Sequence, residues 1–62
     1  MRRYDMHHPT YDARAKDVSV FELSHYLDMY GFTAEEFEQV IELQPGQAIS
    51  LHGCEITRVD PS

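Results

Sequence analysis

The sequence predicts an α+β fold in which a two-helix hairpin packs on a C-terminal β-hairpin. Two amphipathic segments with helix-capping residues, at 19–30 and 33–43, follow one another across a short junction. The segment at 47–59 shows instead the alternation of two short strands around a tight turn. With 62 residues the chain forms one domain, since domains rarely run below about 50 residues.

Each helix begins with the spacing of a capping box. Ser19 and Glu22 place a hydroxyl and a carboxylate where both can bond to free backbone N–H groups. Thr33 and Glu36 repeat this spacing at the second helix. Gly31 lies where a helix ends on a left-handed residue. One short junction therefore ends the first helix and starts the second.

Phe32 lies between the two helices and is expected to hold them together. It is placed to pack back on Leu27 and to meet Phe37 as a hydrophobic staple. Apolar residues recur on one face of each helix, as in a helix that covers a core. Together with apolar positions of the hairpin they form the predicted core, which is Val20, Leu23, Leu27, Phe32, Phe37, Val40, Ile41, Ile49, Leu51 and Ile56.

The last third of the chain changes to the period of β-strands. A Pro-Gly pair inside 44–47 is typical of a type II turn. The apolar positions then change phase across His52 and Gly53, as expected for a two-residue turn between strands at 47–51 and 54–59. The cross-strand pairs that this turn predicts are Leu51 with Cys54 and Ile49 with Ile56.

The first sixteen residues leave two structures open. Residues 3–7 alternate polar and apolar side chains, as an edge strand would, and Pro9 would end that strand. The segment 10–16 would then be a connecting loop. Alternatively, residues 1–16 form a flexible basic arm that becomes ordered only in a complex.

The net charge of −6 is unevenly distributed. Residues 1–16 carry four basic and two acidic side chains, whereas residues 17–62 carry nine acidic side chains and only Arg58 as a base. Such an asymmetry bears on partners rather than on fold. The single domain at 1–62 divides accordingly into a basic arm or edge strand at 1–16, an acidic helical pair at 17–43, and a turn with a β-hairpin at 44–62.

The expected compartment is the cytoplasm. The chain has one cysteine, Cys54, and so cannot form an intrachain disulfide, which is typical of a reducing compartment. The first residues lack the apolar segment of a secretory signal. No run approaches the roughly 20 apolar residues of a membrane span, and we expect no membrane partner.

The sequence carries no catalytic, cofactor or metal-binding motif. His7 and His8 are adjacent, which is not the spacing of a zinc site. His52 and Cys54 straddle the predicted turn, and that spacing does not match one either. Phosphate-binding loops and nucleophile elbows are absent. We therefore expect a protein without enzymatic activity, cofactor or metal.

The segment 17–42 carries seven acidic residues and no Lys or Arg. Its rhythm of helix, glycine, capping residue and helix is that of a DNA-binding helix-turn-helix, but a recognition helix needs basic side chains. The carboxylates suit the opposite role, in which they occupy a basic groove built for nucleic-acid phosphates. Tyr11 and Met29 add amphipathic anchors. The predicted partner-binding residues are Glu22, Asp28, Glu35, Glu36, Glu38, Glu42, Tyr26 and Tyr30.

With this acidic block and the compact ending at 43–58, the chain resembles the small acidic proteins with which phages and other mobile elements block host defence, in particular anti-CRISPR proteins. The resemblance is one of type over the whole chain. It implies a non-enzymatic inhibitor that binds a basic, nucleic-acid-handling effector, such as a CRISPR effector subunit, and blocks its nucleic-acid site by mimicry or blocks its assembly.

Two alternatives to this inhibitor stay open. One is an endogenous interaction module, such as an antitoxin-like or regulatory subunit. The other is a small DNA-binding regulator that uses the basic arm at 1–16, although the acidic helices oppose direct binding of nucleic acid.

Overall fold

The computed structural model describes residues 2–60, which form two helices and a four-stranded antiparallel sheet. The predicted α+β class is confirmed. Residue 1 and residues 61–62, which the prediction of one domain over 1–62 includes, lie outside the described residues. The elements in chain order are β1 (Arg3–His8), a single 3-10 turn (Pro9–Tyr11), β2 (Ala13–Ser19), α1 (Val20–Met29), α2 (Ala34–Ile41), β3 (Ala48–Leu51) and β4 (Cys54–Arg58).

The N-terminal strand lies inside the sheet rather than at its edge. The strand order is β2-β1-β4-β3, so that β1 pairs with β2 on one side and with β4 on the other. The predicted edge position of residues 3–7 is therefore wrong, although the strand itself is present. The flexible basic arm and the loop at 10–16 are also wrong, because residues from Ala13 onward form the outer strand β2.

A β-bulge explains why the pattern of the sequence does not predict β2. Tyr4 pairs with Val18 and Met6 pairs with Ala15, so two residues of β2 face Asp5 alone. Both Ala15 and Val18 thereby reach the core, although they are three residues apart. Strict alternation is lost at this point, and alternation is the pattern by which a strand is recognised in a sequence.

The bulge is held by side chains of β1. Asp17 has a φ of 54°, in the left-handed region that non-glycine residues seldom adopt. Its backbone N–H donates to Oδ1 of Asp5 at 2.9 Å, and its carboxylate accepts from Nε of Arg3 at 3.1 Å. The Arg3 guanidinium also donates to the Asp17 carbonyl. Asp17, predicted as part of the acidic helical pair, thus belongs to the sheet.

The C-terminal hairpin has the predicted register. Leu51 pairs with Cys54 and Ile49 pairs with Ile56. The turn residue His52 has a φ of 53° and its neighbour Gly53 a φ of 75°, as a two-residue turn of type I′ requires. At 44–47 the backbone N–H of the last residue donates to the carbonyl of the first at 2.9 Å, which closes the second predicted turn.

Both helices begin at the predicted caps. Oγ1 of Thr33 accepts from the Glu36 N–H at 3.2 Å, and the Glu36 carboxylate accepts from the Thr33 N–H at 2.8 Å, which completes a capping box. At α1 only half of the predicted box is present. Oγ of Ser19 accepts from the Glu22 N–H at 3.2 Å, but the Glu22 carboxylate receives the Ser19 hydroxyl instead of the backbone N–H.

The junction between the helices is a Schellman motif. Gly31 has a φ of 82°, and its N–H donates to the Asp28 carbonyl at 3.1 Å. The Phe32 N–H donates to the Leu27 carbonyl at 3.0 Å. Phe32 is half-buried and packs against the core, as predicted from its position between the two helices.

The core is built on the sheet face that the helices cover. Among the predicted core residues, Leu23, Leu27, Val40 and Ile56 are buried, and Val20, Phe32, Phe37 and Ile49 are partly buried against them. Ile41 and Leu51 are half-exposed, so their assignment to the core is only partly correct. Cys54 is buried, as expected from its place on the apolar face of the hairpin, but the sequence did not identify the other buried core residues, which are Tyr4, Met6, Ala15, Val18 and Leu43.

An ion pair ties three chain segments together at one end of the sheet. Asp60 is buried and accepts from Nε of Arg58 at 2.8 Å and from Nη2 of the same guanidinium at 3.0 Å. Nη1 of Arg58 donates to the Leu43 carbonyl at 2.8 Å, just beyond α2. The Arg3 N–H at the start of β1 donates to the Asp60 carboxylate at 3.1 Å. We call this group the Arg58–Asp60 clasp.

Because of the clasp, the fold is expected to lose stability at acid pH. Its hydrogen bonds from Arg58 hold the pKa of Asp60 well below its ordinary value of 3.8, although burial opposes this shift. The unfolded chain therefore binds a proton at a pH where the folded chain does not, and the stabilisation from Asp60 is present above about pH 4 and lost as the pH falls.

We expect Asp60→Asn to lower the melting temperature at neutral pH, because Arg58 then lacks its charged partner. The gap between wild type and Asp60→Asn should narrow between about pH 5 and about pH 2, where the wild type loses this contribution. Thermal melts followed by circular dichroism at several pH values measure it, with the exposed Asp12→Asn as the control. A gap that stays constant over this range would contradict the assignment.

Candidate protein-interaction surface

The entire net charge of the protein lies on its helical layer, which we define as residues 20–43. This layer holds six acidic side chains and no Lys or Arg. The remainder of the chain holds five acidic and five basic side chains and is neutral overall. Because the helices cover one face of the sheet, the charge is separated by layer, and one side of the molecule presents a negative surface.

Four of the five basic residues belong to strands of the sheet and none belongs to a helix. Arg3 braces the bulge, and Arg58 forms the clasp. Arg14 and Lys16 are exposed on β2, where Arg14 lies across from His7. None of these side chains can neutralise the helices, since each is committed to another contact or lies on the opposite face of the sheet.

Three predicted acidic residues of the second helix share an exposed face. Glu35, Glu38 and Glu42 are all exposed, with Glu42 as the residue that caps the helix end. The buried Val40 lies on the opposite side. A rise of about 1.5 Å per residue spreads the three carboxylates over about 10 Å of helix axis. Among residues 2–60 none of the three makes a side-chain hydrogen bond or ion pair.

The first helix contributes Asp28 to the acidic helical layer. Asp28 is exposed near the end of α1 and, within the described chain, its carboxylate is likewise unpaired. An open groove of about 420 Å³ runs between the helices, with Asp28 and His25 on one wall and Thr33 and Phe37 on the other. Of the acidic residues, Asp28 lines this groove, whereas Glu35, Glu38 and Glu42 lie on the exposed face of α2.

Two of the predicted acidic residues are used within the fold. Glu36 caps α2 with one carboxylate oxygen and bonds Nε2 of His52 at 2.6 Å with the other. The bond from the Thr33 backbone, and then those from the Thr33 side chain and His52, lower the pKa of Glu36. Glu22 meets the Ser19 hydroxyl at 3.3 Å but remains exposed. We therefore assign Glu36 mainly to joining α2 to the hairpin turn.

The predicted tyrosines occupy different environments. Tyr26 is half-buried and packs against the core. Tyr30 is also half-buried, but its ring stacks on that of Tyr11, with centroids 5.6 Å apart and planes 6° apart. The buried His8 ring lies 4.6 Å from each of these two rings. Tyr11, Met29 and Tyr30 together line a shallow apolar depression, so Tyr11 and Tyr30 form part of one surface and Tyr26 does not.

The list of predicted partner-binding residues omits two residues that the structure exposes, although Met29 is among the predicted amphipathic anchors. Phe21 and Met29 lie on the outward side of α1, and the Phe21 ring meets the His25 ring edge-on with centroids 5.1 Å apart. Phe21, His25 and Met29 follow one another at intervals of four residues, on the side of the helix away from Leu23 and Leu27. The apolar residues of α1 extend beyond one stripe, which predicts that part of them is either covered by the sheet or left exposed, and the structure leaves Phe21 and Met29 exposed.

The histidines and the cysteine form no metal-binding group in the described part of the chain. Residues 2–60 contain no group of three or more His, Cys, Asp or Glu side chains that could hold a metal. Cys54 is buried, and burial raises the pKa of its thiol, which disfavours the reactive thiolate. Ser24 lies beside His25 in the interhelical groove, but its hydroxyl donates to the Phe21 carbonyl at 2.7 Å.

No protein-family model, curated protein or solved structure matches the chain. Neither helix of the described residues has the length and apolar character needed to cross a membrane.

The position of the charges predicts that the protein does not bind duplex DNA. Phosphates would meet either the negative helical layer or a sheet face where Arg14 and Lys16 stand beside Asp5 and Glu55. A mobility-shift assay at physiological salt should show no shifted duplex at micromolar protein. Salt-sensitive binding at that concentration would favour the DNA-binding regulator instead.

Proposed function

We propose that this protein is a small, non-enzymatic inhibitor that binds a basic surface of a nucleic-acid-handling effector, in the manner of an anti-CRISPR protein. Its acidic helical layer would occupy the site that the effector uses for nucleic acid or for assembly. It would act in the cytoplasm, beside its target, without a cofactor.

The observation that carries this proposal is the segregation of charge. Six carboxylates lie on the helical layer without a single basic side chain, whereas ordinary protein surfaces intersperse both signs. Asp28, Glu35, Glu38 and Glu42 are exposed and unpaired within residues 2–60, so their charge is available to a partner. Duplex DNA carries about one charge per 1.7 Å of axis, and a protein that competes for its site needs a dense row of one sign.

The placement of this surface on helices suits such a contact. The capping box at Thr33 and the Schellman motif at Gly31 fix both ends of the junction, so the carboxylates of α1 and α2 hold a defined spacing. The bond between His52 and Glu36 further ties α2 to the hairpin. A preorganised surface loses less conformational entropy when it binds than a flexible acidic tail does.

A second candidate function rests on a different observation. The exposed apolar side chains of Phe21, Met29 and Tyr11 favour a contact with protein but do not require the partner to handle nucleic acid. An endogenous interaction module, such as an antitoxin-like or regulatory subunit, would also present such a surface. The two candidates differ in whether the helical carboxylates are needed for activity against a defence system.

A plasmid-interference assay tests the proposal. The protein is expressed in a panel of strains that each carry one active CRISPR–Cas system, and transformation by a targeted plasmid is compared with that by an untargeted one. We expect the wild type to restore transformation by the targeted plasmid in at least one strain. Failure in strains that cover the known effector types would contradict the proposal and leave the endogenous module.

Two matched variants then test the role of the helical layer. Glu38→Gln with Glu42→Gln removes two charges from α2, and Asp12→Asn with Glu55→Gln removes two exposed charges elsewhere. We expect the first pair to weaken effector binding about tenfold or more, an energy of about 1.4 kcal/mol, because it removes charge complementarity. The second pair should retain binding.

Both pairs alter exposed side chains and should keep the fold, since surface substitutions usually change stability by less than about 0.5 kcal/mol. Circular-dichroism melts check this point. Equal loss of binding in both pairs would show that only total charge matters, and an unchanged affinity in the first pair would show that the helical acids merely solubilise the protein.

A further inference from the structure

We propose that the outward side of α1 is a docking surface for a basic amphipathic helix of the partner protein. This surface, here called the α1 stripe, consists of Phe21, His25 and Met29, and Tyr11 and Tyr30 extend it at its C-terminal end. The inference rests on the proposed function for the basic character of the partner, but its test does not depend on defence inhibition.

The stripe is continuous over more than two helical turns. The rings of Phe21 and His25 are in edge-to-face contact, and Met29 follows one turn further along the same side. Phe21 and Met29 are eight residues apart, or about 12 Å along the axis. Met29 then joins the stacked rings of Tyr11 and Tyr30 around the shallow apolar depression.

Its apolar side chains are much more exposed than their chemistry favours. The relative exposures are 73% for Phe21, 69% for Met29 and 67% for Tyr11. The one other exposed large hydrophobic residue in the described chain is Val59, at 41%, beyond the end of β4. Apolar side chains scattered singly are normal on a protein surface, but a contiguous group of them marks a contact site.

The spacing of the stripe indicates a helix as its occupant. Residues at intervals of four form a ridge along a helix, and such a ridge packs into the groove between corresponding ridges of another helix. A helix that binds in this way presents its own apolar residues at intervals of three and four. The stripe is long enough for two turns of such a helix to lie along it.

The flanks of the stripe set the charge of that occupant. At 100° per residue, Glu22 lies on one side of the row from Phe21 to Met29, and Asp28 lies on the other. Both are exposed, and the sequence has no Lys or Arg anywhere from residue 17 to residue 57. Lys and Arg side chains that border the apolar face of a partner helix would meet a carboxylate on either side.

The same flanks argue against two other occupants. A second copy of the chain would bring Glu22 and Asp28 against their counterparts with no base between them, and like charges that face each other weaken an interface. Helices that lie on a membrane surface carry Lys and Arg on their polar face to meet anionic lipids, and α1 has neither.

The test uses a synthetic probe, an amphipathic peptide of about 18 leucine and lysine residues, long enough to form a helix. Two control peptides are a scrambled version without an apolar face and a version with glutamate in place of lysine. Affinity for the full protein is measured by fluorescence anisotropy. Phe21→Ser and Met29→Ser alter the stripe, and Val59→Ser is the matched control for an exposed apolar residue elsewhere.

We expect the leucine–lysine peptide to bind the wild type, and both controls to bind at least tenfold more weakly. Phe21→Ser and Met29→Ser should each weaken binding about tenfold, and Val59→Ser should change it less than twofold, with all three variants melting like the wild type. The proposal is overturned if the scrambled or acidic peptide binds as tightly, or if the stripe variants keep wild-type affinity.

Sedimentation of the free protein completes the test. A monomer at all concentrations supports a heterologous occupant, whereas a dimer that Phe21→Ser dissociates would show that the stripe serves a second copy and would overturn the proposal. If the wild type inhibits a CRISPR–Cas system but does not bind the peptide, the proposal for the α1 stripe is overturned and the proposed inhibitor function stands. If the wild type binds the peptide but inhibits no CRISPR–Cas system, the proposed inhibitor function is overturned and the proposal for the α1 stripe stands.

Discussion

The bidentate bond between Arg58 and Asp60 connects the parts of this small fold that are most distant in sequence. Through it, the end of β4 contacts Arg3, the first residue of the inner strand β1. It also contacts the carbonyl of Leu43, a residue that follows α2. A chain of this size buries only about 60% of its unfolded surface, so a well-satisfied polar contact of this kind matters more than it would in a large domain. Its carboxylate is buried, and loss of either partner would leave a charge without its counterpart.

This use of arginine in the sheet has a consequence for the surface. Arg58 serves the clasp and Arg3 serves the bulge at Asp17, so two of the five basic side chains neutralise acids of the sheet layer. The helices contain no Lys or Arg of their own, and Asp28, Glu35, Glu38 and Glu42 have no ion-pair partner within the described residues. The internal contacts of the sheet and the one-signed surface of the helices are therefore two results of the same distribution of charge.

The elements that follow local rules could be predicted from the sequence. The Thr33 cap, the glycine at position 31 and the phase change across His52 each depend on neighbouring residues, and the structure has all three. The strand β2 could not be predicted, because the bulge places Ala15 and Val18 on one face and breaks the alternation. The pairing of β2 with β1 is a contact between separate segments, and no local pattern of β2 reveals such a contact.

The candidate site also combines features that local patterns predict with features that depend on contacts between distant residues. Exposure of the α2 carboxylates follows from helical periodicity, and the structure confirms it for Glu35, Glu38 and Glu42. The internal role of Glu36 with His52 joins residues sixteen positions apart, and the sequence alone cannot show such a contact. The sequence left open whether Phe21 is covered or exposed, because only the position of the sheet shows which side of the helix is buried.

Carboxyl footprinting of the protein bound to its effector would test most directly the claim that the helical layer is the contact surface. Exposed carboxylates are labelled with a carbodiimide and an amine in the free and the bound protein, and each site is quantified by mass spectrometry. The account predicts that labelling of Asp28, Glu35, Glu38 and Glu42 falls on binding, while Asp12 and Glu55 remain as reactive as in the free protein. Protection of Asp12 and Glu55 with unchanged labelling of the helical acids would contradict it.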